Sequence, residues 1–401
     1  MSEYQYYEFR AVDRRLAPEQ MRELRAVSTR ARITPSSFVN SYEWGNFKGD
    51  RAAWMERYFD AFLYFANWGA RQIMLRLPAG TLNDADAAPY AAGHSFSVRV
   101  ADGALILDFA FADEEGGDWK EDGTGWMSSI LPLRAELAAG DLRALYLGWL
   151  LCAQQGDLDD DEPEPPVPAG LAELSPALTA LAGFLRLDDD LIRAAAEGSP
   201  PFPPVPDAAQ VRAWVAALPD ARRVDLLTRV AMHEAARVHT ELARELAQAR
   251  RSADGATSGT PRTVRELLDA ADGIAAARHR TETERAARET AKRAAHAAEV
   301  RARHLDAVAA RGESVWRQIE DLVDSKKPAS YKQALELIAD LRDLAARGDT
   351  TEDFDRQIAG LRIRHSKKTT FLQKLGEALE PQSAPGTTGR RTGLFLGTPG
   401  S

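Results

Sequence analysis

Between Arg356 and Lys374 the chain carries six basic side chains, Arg356, Arg362, Arg364, Lys367, Lys368 and Lys374, together with His365 and no carboxylate. Guanidinium and ammonium groups gathered this closely can meet phosphate or an acidic protein surface. If the segment is helical, Arg364, Lys367 and Lys368 share a face at i, i+3, i+4. The same charges also complement the dipole at a helix C-terminus. The segment is therefore read as a partner or phosphate contact, with docking on the chain's own acidic half as the intramolecular alternative. A second cluster, Asp113, Glu114, Glu115 and Asp118, followed by Glu121 and Asp122, gathers enough carboxylates for a weak cation site. Nothing in its spacing fixes a coordination geometry.

Other chemistries are excluded by spacing. No Gly-rich loop ends in Lys-Ser or Lys-Thr, so a P-loop is not expected. Gly93-His94-Ser95-Phe96-Ser97 lacks the closing glycine of a nucleophile elbow and lies in an alternating strand pattern, where an elbow needs a strand-to-helix turn. His233 and His239 are six residues apart, about 120° out of phase on a helix with 3.6 residues per turn, so they cannot share a zinc ion. Asp157, Asp159 and Asp161 mimic the start of a calcium loop, but Glu162 stands where the turn needs glycine and Pro168 where it needs the bidentate glutamate. Cys152 is the only cysteine. It cannot build a four-cysteine zinc site or an intrachain disulfide, and it reads as a small buried hydrophobe. The site residues expected are thus catalytic none and metal none, and no cofactor is expected.

Elements must position whatever remains. Residues 4–12 read as a strand, 16–28 as a short helix and 33–44 as β again. Asp50 is placed as the N-cap of a helix from Arg51 to about Ala66, with Met55, Phe59, Phe62, Leu63 and Ala66 on its apolar stripe. Ile73, Leu75 and Leu77 alternate in a further strand. Asp102-Gly103 joins HSFSVRV to ALILDFAF as a hairpin. Helical pattern from about Leu133 to Ala153 is broken at Gly140.

These signals give an α+β N-terminal domain (1–156) followed by a mostly α-helical C-terminal half with a long, coiled-coil-like arm. The divisions expected are an acidic Pro-rich linker at 157–168, kept solvated by its charges, and a small helical unit at 169–198 with N-caps at Ser175 and Asp188. A second Pro-rich linker covers 199–207. A long helical hairpin arm covers 208–311, in which 208–250, broken at Leu218-Pro219-Asp220, packs antiparallel on 262–311; pairing with another chain is the alternative. A small helical bundle fills 312–380 and a disordered tail 381–401, where Leu394-Phe395-Leu396 stands out as an apolar insert. From Ile274 to Val300 the arm has no large aliphatic or aromatic side chain between those two ends, so it lacks a wide apolar face of its own.

The 401 residues carry a net charge of -9, but unevenly. Residues 1–200 hold 18 Lys+Arg against 32 Asp+Glu, whereas 201–401 hold 33 against 28. The acidic half repels a phosphate backbone; the basic half permits one. One cysteine, no secretory pattern in the opening residues and no apolar run of about 18 residues lead to the expectation of a cytoplasmic protein without a membrane span.

The opening YYEFRAVDRRLAPEQMRELRAVS resembles the start of a bacterial family with no assigned activity, a likeness extending over most of residues 1–200. SYKQALELIADLRDLAARGDTTEDFDRQIAGLRIRHSKKTTFLQKL resembles a helical tail of some bacterial SWIM-type zinc-finger proteins, whose zinc ligands are absent here. The resemblance implies a C-terminal helical module and no catalytic residue. The expected function is a non-catalytic protein–protein interaction or scaffold component of a bacterial multi-protein system, with a protein partner or a second copy of the chain at the arm. The alternatives are a nucleic-acid-associated protein using the basic C-terminal helices, and an enzyme with its site in the N-terminal domain near the acidic loop, Glu43 or Asp60.

Overall fold

Seven short strands, every neighbouring pair antiparallel, form one sheet in the order β2-β3-β1-β4-β5-β7-β6. The computed structural model describes residues 3–82, 84–112, 122–202, 204, 206–253 and 261–379. The chain divides into two compact units, Met1–Arg280 and Thr281–Ser401.

In the first unit the order is β1 (Gln5–Arg10), α1 (Pro18–Val27), β2 (Arg32–Thr34), β3 (Ser37–Tyr42) and α2 (Arg51–Arg57), then β4 (Ala61–Ala66), β5 (Arg71–Leu77) and the short helix α3 (Asp84–Ala87). The hairpin β6 (Phe96–Ala101) and β7 (Ala104–Phe111) follows, then α4 (Trp126–Ile130), α5 (Leu133–Ala138) and α6 (Arg143–Gln155). Next come α7 (Pro176–Phe184), α8 (Asp189–Glu197), α9 (Ala208–Ala217), α10 (Asp220–Ala231), α11 (Ala235–Ala253) and the 46-residue α12 (Val264–Ala309), which continues into the second unit.

Both faces of the sheet are buried, which explains why the central strands do not alternate. Leu63, Phe65, Ile73, Leu75, Leu107 and Phe109 point to one face, where Tyr146, Leu147 and Trp149 of α6 and the helices α5, α7 and α8 cover them. Phe9, Phe38, Phe62, Met74 and Ile106 point to the other, under Leu24 of α1 and Trp54 and Met55 of α2. The Asp102-Gly103 turn sits at φ 48° and 71°, the left-handed region a two-residue hairpin requires.

The helix expected from Arg51 to Ala66 is a correction. Its N-cap is Asp50, accepting from the Ala53 amide at 3.1 Å, but the helix stops at Arg57. Ala61–Ala66 is instead β4, paired to β1 and β5. Phe62 faces one core and Leu63 the other, and a strand buried on both faces mimics a helical apolar run. The break at Gly140 is found, since α5 ends at Ala138 and α6 starts at Arg143, with Gly140 at φ 88°. Ser175 and Asp188 cap α7 and α8.

The break expected at Leu218-Pro219-Asp220 is found, between α9 and α10, and His233, at φ 66°, adds a second one between α10 and α11. α10 folds back on α11, with Arg222 of α10 reaching Glu241 and, at 2.8 Å, Glu245. Along α12 every residue from Ala276 to Arg301 is exposed.

In the second unit α12 ends in a bundle with α13 (Ser314–Asp324), α14 (Pro328–Arg347), α15 (Thr351–Arg364) and α16 (Thr369–Leu379). Val308, Val315, Ile319, Tyr331, Ile338, Phe354, Leu361, Phe371 and Leu375 make its core. Arg301 bridges Asp340 and Asp343 of α14, and His304 meets Asp340 at 2.7 Å. No helix among the described residues is long and apolar enough to cross a membrane.

Candidate functional site

The six basic residues do not form one surface. Arg356, Arg362 and Arg364 lie on α15 and Lys374 on α16, but Lys367 and Lys368 lie in the turn between the two helices. The shared helical face expected for Arg364, Lys367 and Lys368 therefore does not exist. Three of the six are paired within their own bundle: Arg356 with Asp353, Arg364 with Glu320 at 2.7 Å, and Lys368 with Asp324 at 2.5 Å and with the Val323 carbonyl at 2.9 Å. Arg362, Lys367 and Lys374 are exposed and make no ion pair among the described residues. His365 is buried against Phe371, with Nδ1 3.6 Å from Asp324 and Nε2 without a hydrogen-bond partner. Burial, then Lys368, lower its pKa against the pull of Asp324. Arg364 and Lys368 tie this segment to α13.

Asp113, Glu114, Glu115 and Asp118, with Glu121, lie outside the described residues, as does the tail with Leu394-Phe395-Leu396. Among the described residues no group of His, Cys, Asp or Glu is arranged to hold a metal ion. Asp60 is fully buried and fully used: Oδ2 accepts from the amides of Val12 and Asp13 at 2.7 and 2.9 Å, and Oδ1 meets Arg76 at 3.3 Å. It pins the β1–α1 connection to the sheet. Ser95 donates its amide to Asp157 at 2.6 Å and lies just before β6, not on a strand-to-helix turn. Cys152 is buried, and burial together with the neighbouring Asp157 pushes its thiol up to about 12, so it stays protonated and unreactive at neutral pH.

A polar row crosses the α2 face of the sheet where α1 and α2 leave it partly open. Gln5 accepts from Tyr7 at 2.6 Å; Arg51 stacks over Tyr64 at 5.5 Å and donates to Gln72 at 2.8 Å; Gln72 donates to both oxygens of Asp108 at 2.8 and 3.0 Å. Burial raises the pKa of Asp108, opposed by the Gln72 hydrogen bonds and by Arg51 and Arg99. A perturbed carboxylate is a functional-site candidate when it sits in a cleft. An open groove of about 600 Å³, lined by Trp126, Pro132, Glu136, Ala177 and Thr179, lies between α4 and α7 and contains none of these residues.

The stretch at 157–168 gives the clearest departure from expectation. It is not a solvated linker but a docked strap. Asp157 holds the amides of His94 and Ser95, Tyr90 donates to the Pro166 carbonyl at 2.7 Å, and Pro163 pairs antiparallel with Thr263. Glu164 is 7% exposed. Its carboxylate receives the Tyr146 hydroxyl and a two-pronged contact from Arg262, Nε and Nη2 both at 2.8 Å, while Arg262 Nη1 donates to the Ala194 carbonyl at 2.8 Å. The same carboxylate raises the Arg262 pKa through its hydrogen bonds.

This strap holds the start of α12. Thr263 and Glu266 form a reciprocal cap, with Glu266 accepting from the Thr263 amide at 2.9 Å and Thr263 Oγ1 from the Glu266 amide at 3.2 Å. Val264, Leu267 and Ala271 then enter the main core, worth about 1.5–3 kcal/mol for each large side chain. About two turns further, Arg278 reaches the buried Asp190 of α8 at 2.7 Å. From Ala276 to Arg301 every residue is exposed and Ala, Glu and Arg dominate. Glu284–Arg288 and Glu299–Arg303 pair at i, i+4 on this surface, contributing about 0.3 kcal/mol each. Sequence reasoning found the apolar-poor helix but missed its anchor. The only signals for that anchor were the run of proline and acid before it and the cap pattern Thr263–Glu266.

No family model matches the chain, and no curated protein or solved structure matches it.

Proposed function

We propose that the protein is a non-catalytic interaction or scaffold component, and that the exposed middle of α12 is where it meets a protein partner or a second copy. The observation that carries this reading is the contrast within one helix. Its first turns are capped, ion-paired and buried, and from Glu284 to Val300 every residue is exposed. A helix polar on all sides is retained either to bridge between domains or to be covered by a partner. The rigid root supports both uses, because a helix held in a core presents its exposed face without a further ordering cost at binding.

A catalytic reading has little to stand on. Asp60 and Glu164 are consumed by structure, and the perturbed Asp108 lies away from the groove between α4 and α7. Nucleic-acid association through Arg356–Lys374 is weakened by the pairing of Arg356, Arg364 and Lys368 with carboxylates of their own bundle.

The test is affinity capture from native lysate with the full chain and with an Arg285→Glu, Arg288→Glu, Lys292→Glu variant. All three residues are exposed on α12, so the fold should be unaffected. Recovery of a defined partner by the parent chain and its loss with the variant is the expected result. An identical set of captured proteins would remove the exposed helix from the account.

A further inference from the structure

The two edges of the sheet are not alike. At one, β2 is only three residues long and carries Arg32, with Arg30 just before it. Short, charged edge strands resist pairing with another chain. At the other, β6 runs Phe-Ser-Val-Arg-Val-Ala in unbroken register with β7, without proline, lysine or bulge. Its one charged side chain is Arg99.

The register fixes which backbone groups are free. Ala101 and Ala104 flank the two-residue turn, so they are a hydrogen-bonded pair, and the bonding alternates from there through Arg99–Ile106 and Ser97–Asp108. The Ala110 amide donating to the Ser95 carbonyl at 2.8 Å has the same parity. The amide and carbonyl groups of Val98 and Val100 therefore point away from β7, toward the open edge. Among the described residues β6 has no second neighbour in the sheet. Cys152 occupies the Phe96 amide. Val98 is half-buried and Val100 is 57% exposed.

We infer that β6 pairs antiparallel with β6 of a second copy of this chain, joining two sheets edge to edge. The strand is complementary to itself about Val98. A two-fold axis there sets Val98 opposite Val98, Phe96 opposite Val100, and Ser97 opposite Arg99. The valines and phenylalanine share one face. No like charges meet, because Arg99 faces a serine and is already held by Glu56 of its own chain. In an isologous interface each residue meets its counterpart in this way. The pairing covers the exposed Val100 and satisfies the outward groups of Val98 in both copies. It is independent of the exposed middle of α12.

The experiment is sedimentation velocity on the full chain over a range of concentrations, with two edge variants and the α12 charge variant. Val100→Lys places a charge on the exposed edge. Val98→Pro removes an amide that makes no bond to β7, a position where an edge strand tolerates proline. Reversible dimer formation by the parent chain, weakened about tenfold or more by either edge variant and unchanged by the α12 variant, is the expected result. Unfolding temperatures close to the parent's confirm that the variants are folded. A parent chain that stays monomeric throughout, or a dimer untouched by both edge variants, overturns the inference. So does a dimer lost only in the α12 variant, which would place self-association on that helix.

Discussion

His365 shows how a residue expected at a binding surface can be spent on the fold. The sequence placed it in a basic cluster; the structure buries it between Asp324 and Phe371 with Nε2 unpaired. Its pKa lies below the ordinary value of about 6.5, so the unfolded chain takes up the proton first. Stability is complete above that value and falls as the pH drops through it toward the lower folded value. Thermal unfolding at about pH 7.5 and about pH 5.5 should show a loss for the parent chain that His365→Gln lacks. Identical pH dependence in the two would mean that protonation of the ring is not what couples the bundle to pH. Glu164 makes the same point in the first unit. In sequence it is one of six acids in a proline-rich run, DLDDDEPEPPVP. In the structure it is the acceptor that joins Tyr146 to Arg262. Composition cannot separate a solvated acid from a buried one; only the guanidinium, nearly a hundred residues later in the chain, does that.

At the scale of elements, local signals were reliable where a turn or a cap carried them. Asp102-Gly103, Ser175, Asp188 and the break at Gly140 are all found at their expected places. The failures come from tertiary context. AFLYFA looks helical by spacing because both of its faces are buried, and a strand sandwiched between two layers loses its alternation. The 208–250 stretch breaks at Pro219 as its sequence signals, but the second break, at the left-handed His233, has no proline or glycine to mark it. α12 itself was legible as a helix without an apolar face, but its root was not, since Val264, Leu267 and Ala271 are too few to mark a stripe. The root and the exposed middle should respond differently to substitution. Leu267→Ala, at 0% exposure, should cost about 2–5 kcal/mol, read as a lower denaturant midpoint. The three charge changes at Arg285, Arg288 and Lys292 should together stay near the parent, each within about 0.5 kcal/mol. A small loss for Leu267→Ala would mean that α12 is held by its ion pairs rather than by burial.

At the scale of the whole molecule, the α+β sheet domain and the helical half with its long helix could be read from periodicity and composition, and the structure has both. The candidate site was less legible. The residues that looked functional by charge, Arg356 to Lys374, largely neutralise their own neighbours. Among the described residues the surfaces left exposed are α12 from Glu284 to Val300 and the edge of β6. A stretch with nothing to bury has no distinctive pattern, and an edge strand differs from an inner one only through topology. Amide hydrogen exchange on the free, full-length chain tests the central claim most directly. Amides from Leu267 to Gly273 should exchange at rates set by opening of the main core, while those from Glu284 to Val300 should exchange much faster, protected by their own helix. Equal protection along both stretches would mean that the middle of α12 is already covered in the free protein, and the account would fail.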